Sequence, residues 1–571
     1  MANGRNLTWR IGLVVSFLAF ASVAILGRLF QLQVLEHPYY AAEARQTRVH
    51  EETVSGRRGA ILDENGYPLA VSIDSYDVMV ETKAWQDTGK ASIAASTIAG
   101  ITGGNAATMV AGVQATDMYE TPVARGLTYD QASKIRDAAP LGARLVEGSQ
   151  RVYPEGNLAS QLIGFLGKDQ EGLTGLEADL DSVLGGSKGE LVTERDGLGN
   201  ALFFGQRNET APQPGSDVVL TIDRYLQRLA EQELANTVKE RNAQGGSIVI
   251  VDSRTGAVRA MASLPSFDLT NPDISDNSKL NLTRNRAVTD QYEPGSIFKL
   301  VTVSAALDSG KVTPTTSWYD PGYYEATDWK IYNWDFSANG WQTVSQAIVK
   351  SLNVGAAWIS GQVGPGVFYD YVHRFGFGQK TGIGLSGDAA GQVRTPETDP
   401  SWTRVDLATN SFGQGITATP LQLAMMVAAI ANNGKLMKPY VVDQVVGPGG
   451  TQKTQPQVVR QVISPQTARN VRQMMGVVVS DQLPKGVVDI SHYLIGGKTG
   501  TANIANGDGT YKPDTYISSF AGILPLDNAS LVILVKIDEP RGVPWGTTVA
   551  APAFGRLAKA ALDYYNIAPD Q

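Results

Sequence analysis

The hydrophobic pattern opens on a run of seventeen residues without a charge, 11–27, preceded by Arg5 and Arg10 and closed by Arg28. About 20 apolar residues span a bilayer core, and arginine at the ends reaches back to the interface. The run therefore predicts one transmembrane helix. Ala19-Phe20-Ala21 resembles a signal-peptide cleavage site, but the apolar residues continue to Leu26, which favours a retained anchor. The arginines ahead of it predict a cytoplasmic N-terminus, with everything after residue 35 outside.

From 36 to about 215 the pattern changes to short alternating segments broken by turn residues. Ala60-Ile61-Leu62 and Leu69-Ala70-Val71, with Asn65-Gly66 between them, read as a hairpin. The acidic residues of its turn lack calcium-loop spacing. Residues 87–146 read as alanine-rich, helix-capable pieces. Residues 151–200 carry many glycines (among them Gly164, Gly175, Gly197 and Gly199), which read as turns in a β-rich scaffold and match no phosphate loop. Gln213-Pro214-Gly215 marks a boundary.

After it, residues 218–222 predict a strand. Asp223 caps a helix with Leu226, Ala230, Leu234 and Val238 on one face. Residues 247–251 and 257–261 predict a strand pair. Thr419-Pro420 and Gly434 bracket a helix, 517–524 and 531–537 predict two strands, and a last helix follows Pro552. Residues 447–457 read as a surface loop. Strands interleaved with helices over about 350 residues imply one large α/β or α+β domain.

Composition narrows the chemistry. A chain of 571 residues exceeds a single core and implies two or three folded units. The net charge of -8, with no basic stripe, argues against nucleic acid as a partner. There is no cysteine, so thiol catalysis and disulfides are excluded. The four histidines, His37, His50, His373 and His492, lack ligand spacing and give poor support for a zinc site or a Ser-His-Asp triad.

Against that background Ser296 and Lys299 stand out, three apart where a turn gives way to an apolar helical run. That spacing puts them on one face, and an amine of low pKa can activate a serine. Alone, the pair reads more readily as a helix-capping serine and a solvated lysine than as a catalytic pair. Two further stretches change this: Ser351-Leu352-Asn353 near a helix end, and Lys498-Thr499-Gly500-Thr501 after a glycine-containing strand. S-x-x-K, S-x-N and K-T-G in that order form the signature of penicillin-binding proteins and serine β-lactamases.

Beyond the motifs, the chain resembles the class B penicillin-binding proteins, which are membrane-anchored D,D-transpeptidases with a non-catalytic N-terminal pedestal. The resemblance lies in Arg58-Gly59-Ala60-Ile61-Leu62-Asp63, Arg151-Val152-Tyr153-Pro154-Glu155-Gly156 and Gly175-Leu176-Glu177. It continues in Ser411-Phe412-Gly413-Gln414-Gly415-Ile416, Ile537-Asp538-Glu539-Pro540 and Thr548-Val549-Ala550-Ala551-Pro552. The S-F-G-Q-G-I and I-D-E-P stretches look most like the division-type, septal branch. The resemblance implies a multidomain α+β chain. Its parts are an anchor over 1–35, a β-rich elongated pedestal for dimerisation or partner binding over 36–215, and an α/β/α transpeptidase domain with a central antiparallel sheet over 216–571.

The implied activity is acyl transfer between peptidoglycan stem peptides through a serine acyl-enzyme, inhibited covalently by β-lactams, with neither metal nor cofactor. By resemblance Ser296 is the nucleophile, Lys299 its base, and Ser351 and Lys498 a proton relay. Asn353 binds the substrate amide; Thr499, Gly500 and Thr501 form the carboxylate clamp, and the Ser296 and Thr501 N–H groups the oxyanion hole. Which lysine takes the proton stays open. Implied partners are a SEDS-family membrane glycan polymerase and other divisome or elongasome proteins. The alternatives are an elongation-type transpeptidase, a D,D-carboxypeptidase, a β-lactamase and a non-catalytic subunit that activates a polymerase. A β-lactamase needs neither pedestal nor retained anchor.

Overall fold

The computed structural model describes residues 4–41, 49–54, 56–86, 88–116, 118–167, 169–194, 207–488, 490–506 and 510–569. Gly197 and Gly199 lie outside the described residues. The chain divides into two compact units, Met1–Arg57 with Gly186–Gly215, and Arg58–Gly185 with Ser216–Gln571.

In the first unit the helix Gly4–Phe30 runs on into a π-helical turn, Gln31–Leu35. The apolar stretch Thr8–Leu35 spans 28 residues, none of it buried in protein. At 1.5 Å per residue it is about 42 Å long, more than the hydrocarbon thickness. Strands Val49–Val54, Gly189–Glu194 and Arg207–Thr210 form a three-stranded antiparallel sheet.

The second unit holds the hairpin expected at Asn65-Gly66. Ile61–Leu62 pairs antiparallel with Pro68–Glu81, and Asp63 Oδ1 accepts the Asn65 and Tyr67 N–H groups at 2.9 and 2.8 Å. Two expectations need correction here. Residues 87–146 contain the helices Thr88–Thr102 and Ala106–Gln114, but also the strands Glu120–Leu127 and Ala143–Val152, both paired with Pro68–Glu81. These strands are half-exposed and lack a clean alternation of apolar residues. The glycine-rich stretch carries the short helices Ser160–Ile163, Gly175–Asp179 and Asp181–Leu184 as well as turns. Its glycines serve close approach: a Cβ on Gly164 would lie 1.8 Å from the Thr174 carbonyl oxygen.

Asp217–Leu220 joins this same sheet, beside Ile61–Leu62 on one side and Val442–Gly447 on the other. The surface loop expected over 447–457 is instead a hairpin, Val442–Gly447 with Gly450–Lys453. All four residues of the outer strand are exposed, so no hydrophobic period marks it.

The central sheet of this unit comprises β1 (Gly245–Asp252), β2 (Val258–Leu264), β3 (Gly496–Ala505), β4 (Tyr511–Leu524) and β5 (Leu531–Asp538). Their order is β2-β1-β5-β4-β3, antiparallel throughout. Every residue of β1 from Gly245 to Val251 is buried, as suits a strand covered on both faces. One face, with Ile248, Ile250, Phe520 and Val535, packs on the helices Arg224–Glu240 and Ala550–Tyr564. The other, with Val249, Ala521 and Leu534, packs on α3 (Pro420–Ala431); α1 (Lys299–Asp308) and α2 (Asn353–Val363) lie in the same core. Asp223 caps the first helix by accepting the Tyr225 and Leu226 N–H groups at 2.8 and 3.0 Å. Thr419 and Gln422 close a capping box on α3. β3 is the edge strand, and its outer side faces the site.

Candidate active site

Ser296 sits in a 3₁₀ turn, Gly295–Phe298, that leads directly into α1 at Lys299. With three residues per turn, positions i and i+3 eclipse, so Lys299 stands on the Ser296 side. Ile297 and Phe298 are fully buried and anchor the turn; Phe298 packs edge-on against Phe377 at 5.0 Å. Gly295 has φ +58° and donates its N–H to the Gly413 carbonyl at 3.1 Å. A Cβ on Gly413 would lie 2.3 Å from the Gly295 carbonyl oxygen, and one on Gly295 would lie 2.9 Å from that of Thr501. The Ser296 turn is thus gripped between the 411–415 loop and β3, and only glycine fits the grip.

Ser351 follows the helix Val344–Val349 with φ +58°, an uncommon conformation for a residue with a Cβ. This turn aims its hydroxyl and its carbonyl at one point. Lys299 Nζ donates to Ser351 O at 2.7 Å and to Asn353 Oδ1 at 2.8 Å, and lies 3.2 Å from Ser351 Oγ. Lys498 Nζ reaches Ser351 Oγ at 2.9 Å and Thr499 O at 3.3 Å. Asn353 opens α2 and donates from Nδ2 to Tyr332 O at 3.3 Å.

Strand alternation puts Lys498 and Gly500 inward and leaves Thr499 and Thr501 half-buried at the cleft. A Cβ on Gly500 would meet Ser519 Oγ at 2.4 Å and Pro294 O at 3.0 Å, so a side chain there would push β3 off the Ser296 turn. Thr501 Oγ1 accepts the Gly546 N–H at 3.2 Å.

Both lysines are wholly buried, and among the described residues neither forms an ion pair with a carboxylate. Burial, and then the charge of Lys498, holds the Lys299 amine well below the usual lysine range. Burial alone brings Lys498 down to about 7. A neutral Lys299 has two N–H groups, which the Ser351 carbonyl and Asn353 occupy, and one lone pair free to accept a hydroxyl proton. Lys498 can be charged or neutral at physiological pH, as a proton-relaying group requires. Among the described residues no group of three or more His, Asp or Glu side chains has metal-site geometry.

Of the sequence candidates, Lys299, Ser351, Asn353 and Lys498 share one hydrogen-bonded cluster. Ser296 stands outside those hydrogen bonds, and its neighbour Gly295 packs close to the Thr501 carbonyl of β3. Three residues went unassigned from sequence. Glu293 accepts the Gly415 N–H at 2.9 Å and the Tyr511 hydroxyl at 3.1 Å, and burial raises its pKa. Asn333 accepts the Val354 N–H at 3.2 Å and so holds the start of α2. Gly546 braces Thr501. Glu293 lies beside the first motif, where adjacency was a usable signal; the other two contacts join distant segments that no local pattern links.

Residues 246–559 match the penicillin binding protein transpeptidase domain, and residues 53–220 match the penicillin-binding protein dimerisation domain. The chain is 32% identical to the peptidoglycan D,D-transpeptidase FtsI of Escherichia coli over 574 residues, covering 99% of this chain and 93% of that one. It is 33% identical to the stage V sporulation protein D of Bacillus subtilis over 517 residues, covering 90% and 79%. Among solved structures, penicillin binding protein 3 of Mycobacterium tuberculosis complexed with aztreonam superimposes with a TM-score of 0.70 at 28% identity, covering 91% of this chain and 98% of that one. With its serine–lysine cluster on a sheet of this order, and with relatives matched over nearly its whole length, the chain belongs to the class B penicillin-binding proteins, the peptidoglycan D,D-transpeptidase family.

Proposed function

We propose that the chain cross-links peptidoglycan stem peptides through an acyl-enzyme on Ser296. The observation that carries this reading is the convergence of two buried lysines, without a carboxylate, on the hydroxyl of Ser351 beside the nucleophile turn. Ser296 Oγ attacks the carbonyl between two D-alanines while Lys299 takes its proton. The C–N bond breaks, and the terminal D-alanine leaves with a proton relayed through Lys498 and Ser351. The amine of a neighbouring stem peptide then attacks the ester, forming the cross-link and restoring Ser296.

Asn353 orients the donor amide, and Thr499 and Thr501 hold the terminal carboxylate beside Lys498, with Gly500 letting the strand approach. The N–H groups of Ser296 and Thr501 receive the negative oxygen of the tetrahedral intermediate. One such donor is typically worth about a hundredfold or more in rate.

Within the family we assign the chain to cell division, on the S-F-G-Q-G-I and I-D-E-P stretches. Residues 1–35 serve as a single-pass anchor with the N-terminus in the cytoplasm, 36–215 as a partner-binding pedestal and 216–571 as the transpeptidase domain outside the membrane. A SEDS-family glycan polymerase supplies the strands to be cross-linked. The test is labelling with a fluorescent penicillin: a stable adduct is expected in the wild type and none in Ser296→Ala. An adduct that persists in Ser296→Ala, or none in the wild type, rejects the reading. Supplied with lipid-linked precursor and a partner polymerase, the protein should yield cross-linked dimers by mass spectrometry; trimmed peptides alone would make it a carboxypeptidase.

A further inference from the structure

Between α1 and α2 the chain builds two small antiparallel pairs, one of them Tyr323–Ala326 with Trp329–Tyr332. Every large apolar side chain exposed between residues 319 and 341 is aromatic; none is aliphatic. Phe336 is 76% exposed and Trp334 61% exposed, far more than a folded core tolerates without a purpose. The rings make a line of two contacting stretches. In the first, Tyr323 and Tyr332 lie 6.5 Å apart across the strand pair, and Tyr332 and Phe336 lie 5.7 Å apart. In the second, Trp334 meets Trp545 at 5.7 Å.

This line ends at the site. The Tyr332 carbonyl accepts a hydrogen bond from Asn353, and Trp545 directly precedes Gly546, whose N–H bonds Thr501. Polar groups border the rings: Lys330 lies over the Tyr323 ring at 4.4 Å, and Glu325 pairs with it across the strands.

We infer that this aromatic line is a binding surface for the glycan strand that carries the stem peptide, an inference that rests on the function proposed above. A pyranose ring has apolar C–H faces that pack on aromatic faces, and a rim of hydroxyls that needs donors and acceptors. Exposed aromatics bordered by Lys330 and Glu325 offer both. A peptide covalently attached to its glycan and threaded to Ser296 brings that glycan to the mouth of the cleft, where the line begins.

The experiment uses the full chain in detergent and, as probe, fluorescent glycan strands stripped of peptide by an amidase. Binding to the wild type is expected, weakened at least tenfold in a Tyr323→Ser, Phe336→Ser double variant. The rate of penicillin labelling at Ser296 should stay within twofold, which also reports an intact fold. Stripped strands that do not bind, or that bind the variant equally, overturn the inference. So does binding only of peptide-bearing strands, or a variant that loses association with lipid vesicles or a protein partner but not with glycan. Absence of the Ser296 adduct in the wild type would instead reject the catalytic reading.

Discussion

In the part of the second unit that precedes the central sheet, Arg58 and Arg151 meet on one carboxylate: their Nε atoms each donate to Glu177 at 2.7 Å, and Glu177 is fully buried. Around Ser351, Lys299 and Lys498 meet with no carboxylate at all. Both clusters remove two cations from water, at a cost of several kcal/mol per ion unless a partner compensates. The arginine cluster offsets that cost with an anion, the Glu177 and Gly59 carbonyls and Asp181. The lysine cluster relieves it by giving up charge. Paired burial yields a fixed joint, whereas unpaired burial yields amines whose protonation can change during a reaction.

The contrast can be broken most severely at Lys299. Lys299→Met should lower the rate of acylation by labelled penicillin by about 10²- to 10⁴-fold, the usual worth of a general base, while thermal stability holds or rises. Acylation at the wild-type rate would remove Lys299 from proton transfer. The mirror experiment is Glu177→Ala, which takes the shared carboxylate away from two buried guanidinium groups. Denaturant titration should register a loss of about 3–5 kcal/mol, with the acylation rate of the folded protein unchanged.

A third, smaller effect is the response to pH. Lys498, depressed to about 7, is neutral in the folded protein and charged in the unfolded chain between pH 7 and its ordinary range above 10. The unfolded state then binds more protons, so stability rises with pH across that window, by at most about 1.4 kcal/mol per unit. Lys498→Met should lose this slope. Donor affinity should move oppositely, KM rising above about pH 7 as the cation that attracts the carboxylate disappears; a flat KM from pH 6 to 9 would contradict the clamp. Least of all, Asp181→Asn removes an ion-pair partner of Arg58 that is 40% exposed. Its cost should stay under about 1 kcal/mol because water screens the pair.

How readily each region can be read in the sequence follows the same division. The three motifs stand out because reactive side chains in a set order are scarce by chance, and the N-terminal apolar helix stands out because a long uncharged run has few other uses. The strands Glu120–Leu127 and Ala143–Val152 and the hairpin at Gly450–Lys453 do not, because half-exposed or edge strands need not alternate. Serine and lysine three apart suggested a direct pair. The hydrogen bonds of Lys299 instead run to Ser351 and Asn353, more than fifty residues away, a choice made by the left-handed turn at Ser351.

The amino-acid sequence by itself determined the long N-terminal apolar helix, the family and the motif residues proposed to react, since these depend on composition, local period and motif order. Only the tertiary structure decided what those groups are chemically. A lysine's pKa is set by what surrounds it in space, and Lys498 owes its value near 7 to complete burial in an edge strand pressed against the Ser296 turn. The glycines at 295, 413 and 500 permit that approach, but the distances at which they do so exist only once the sheet, the turn and the 411–415 loop have packed together.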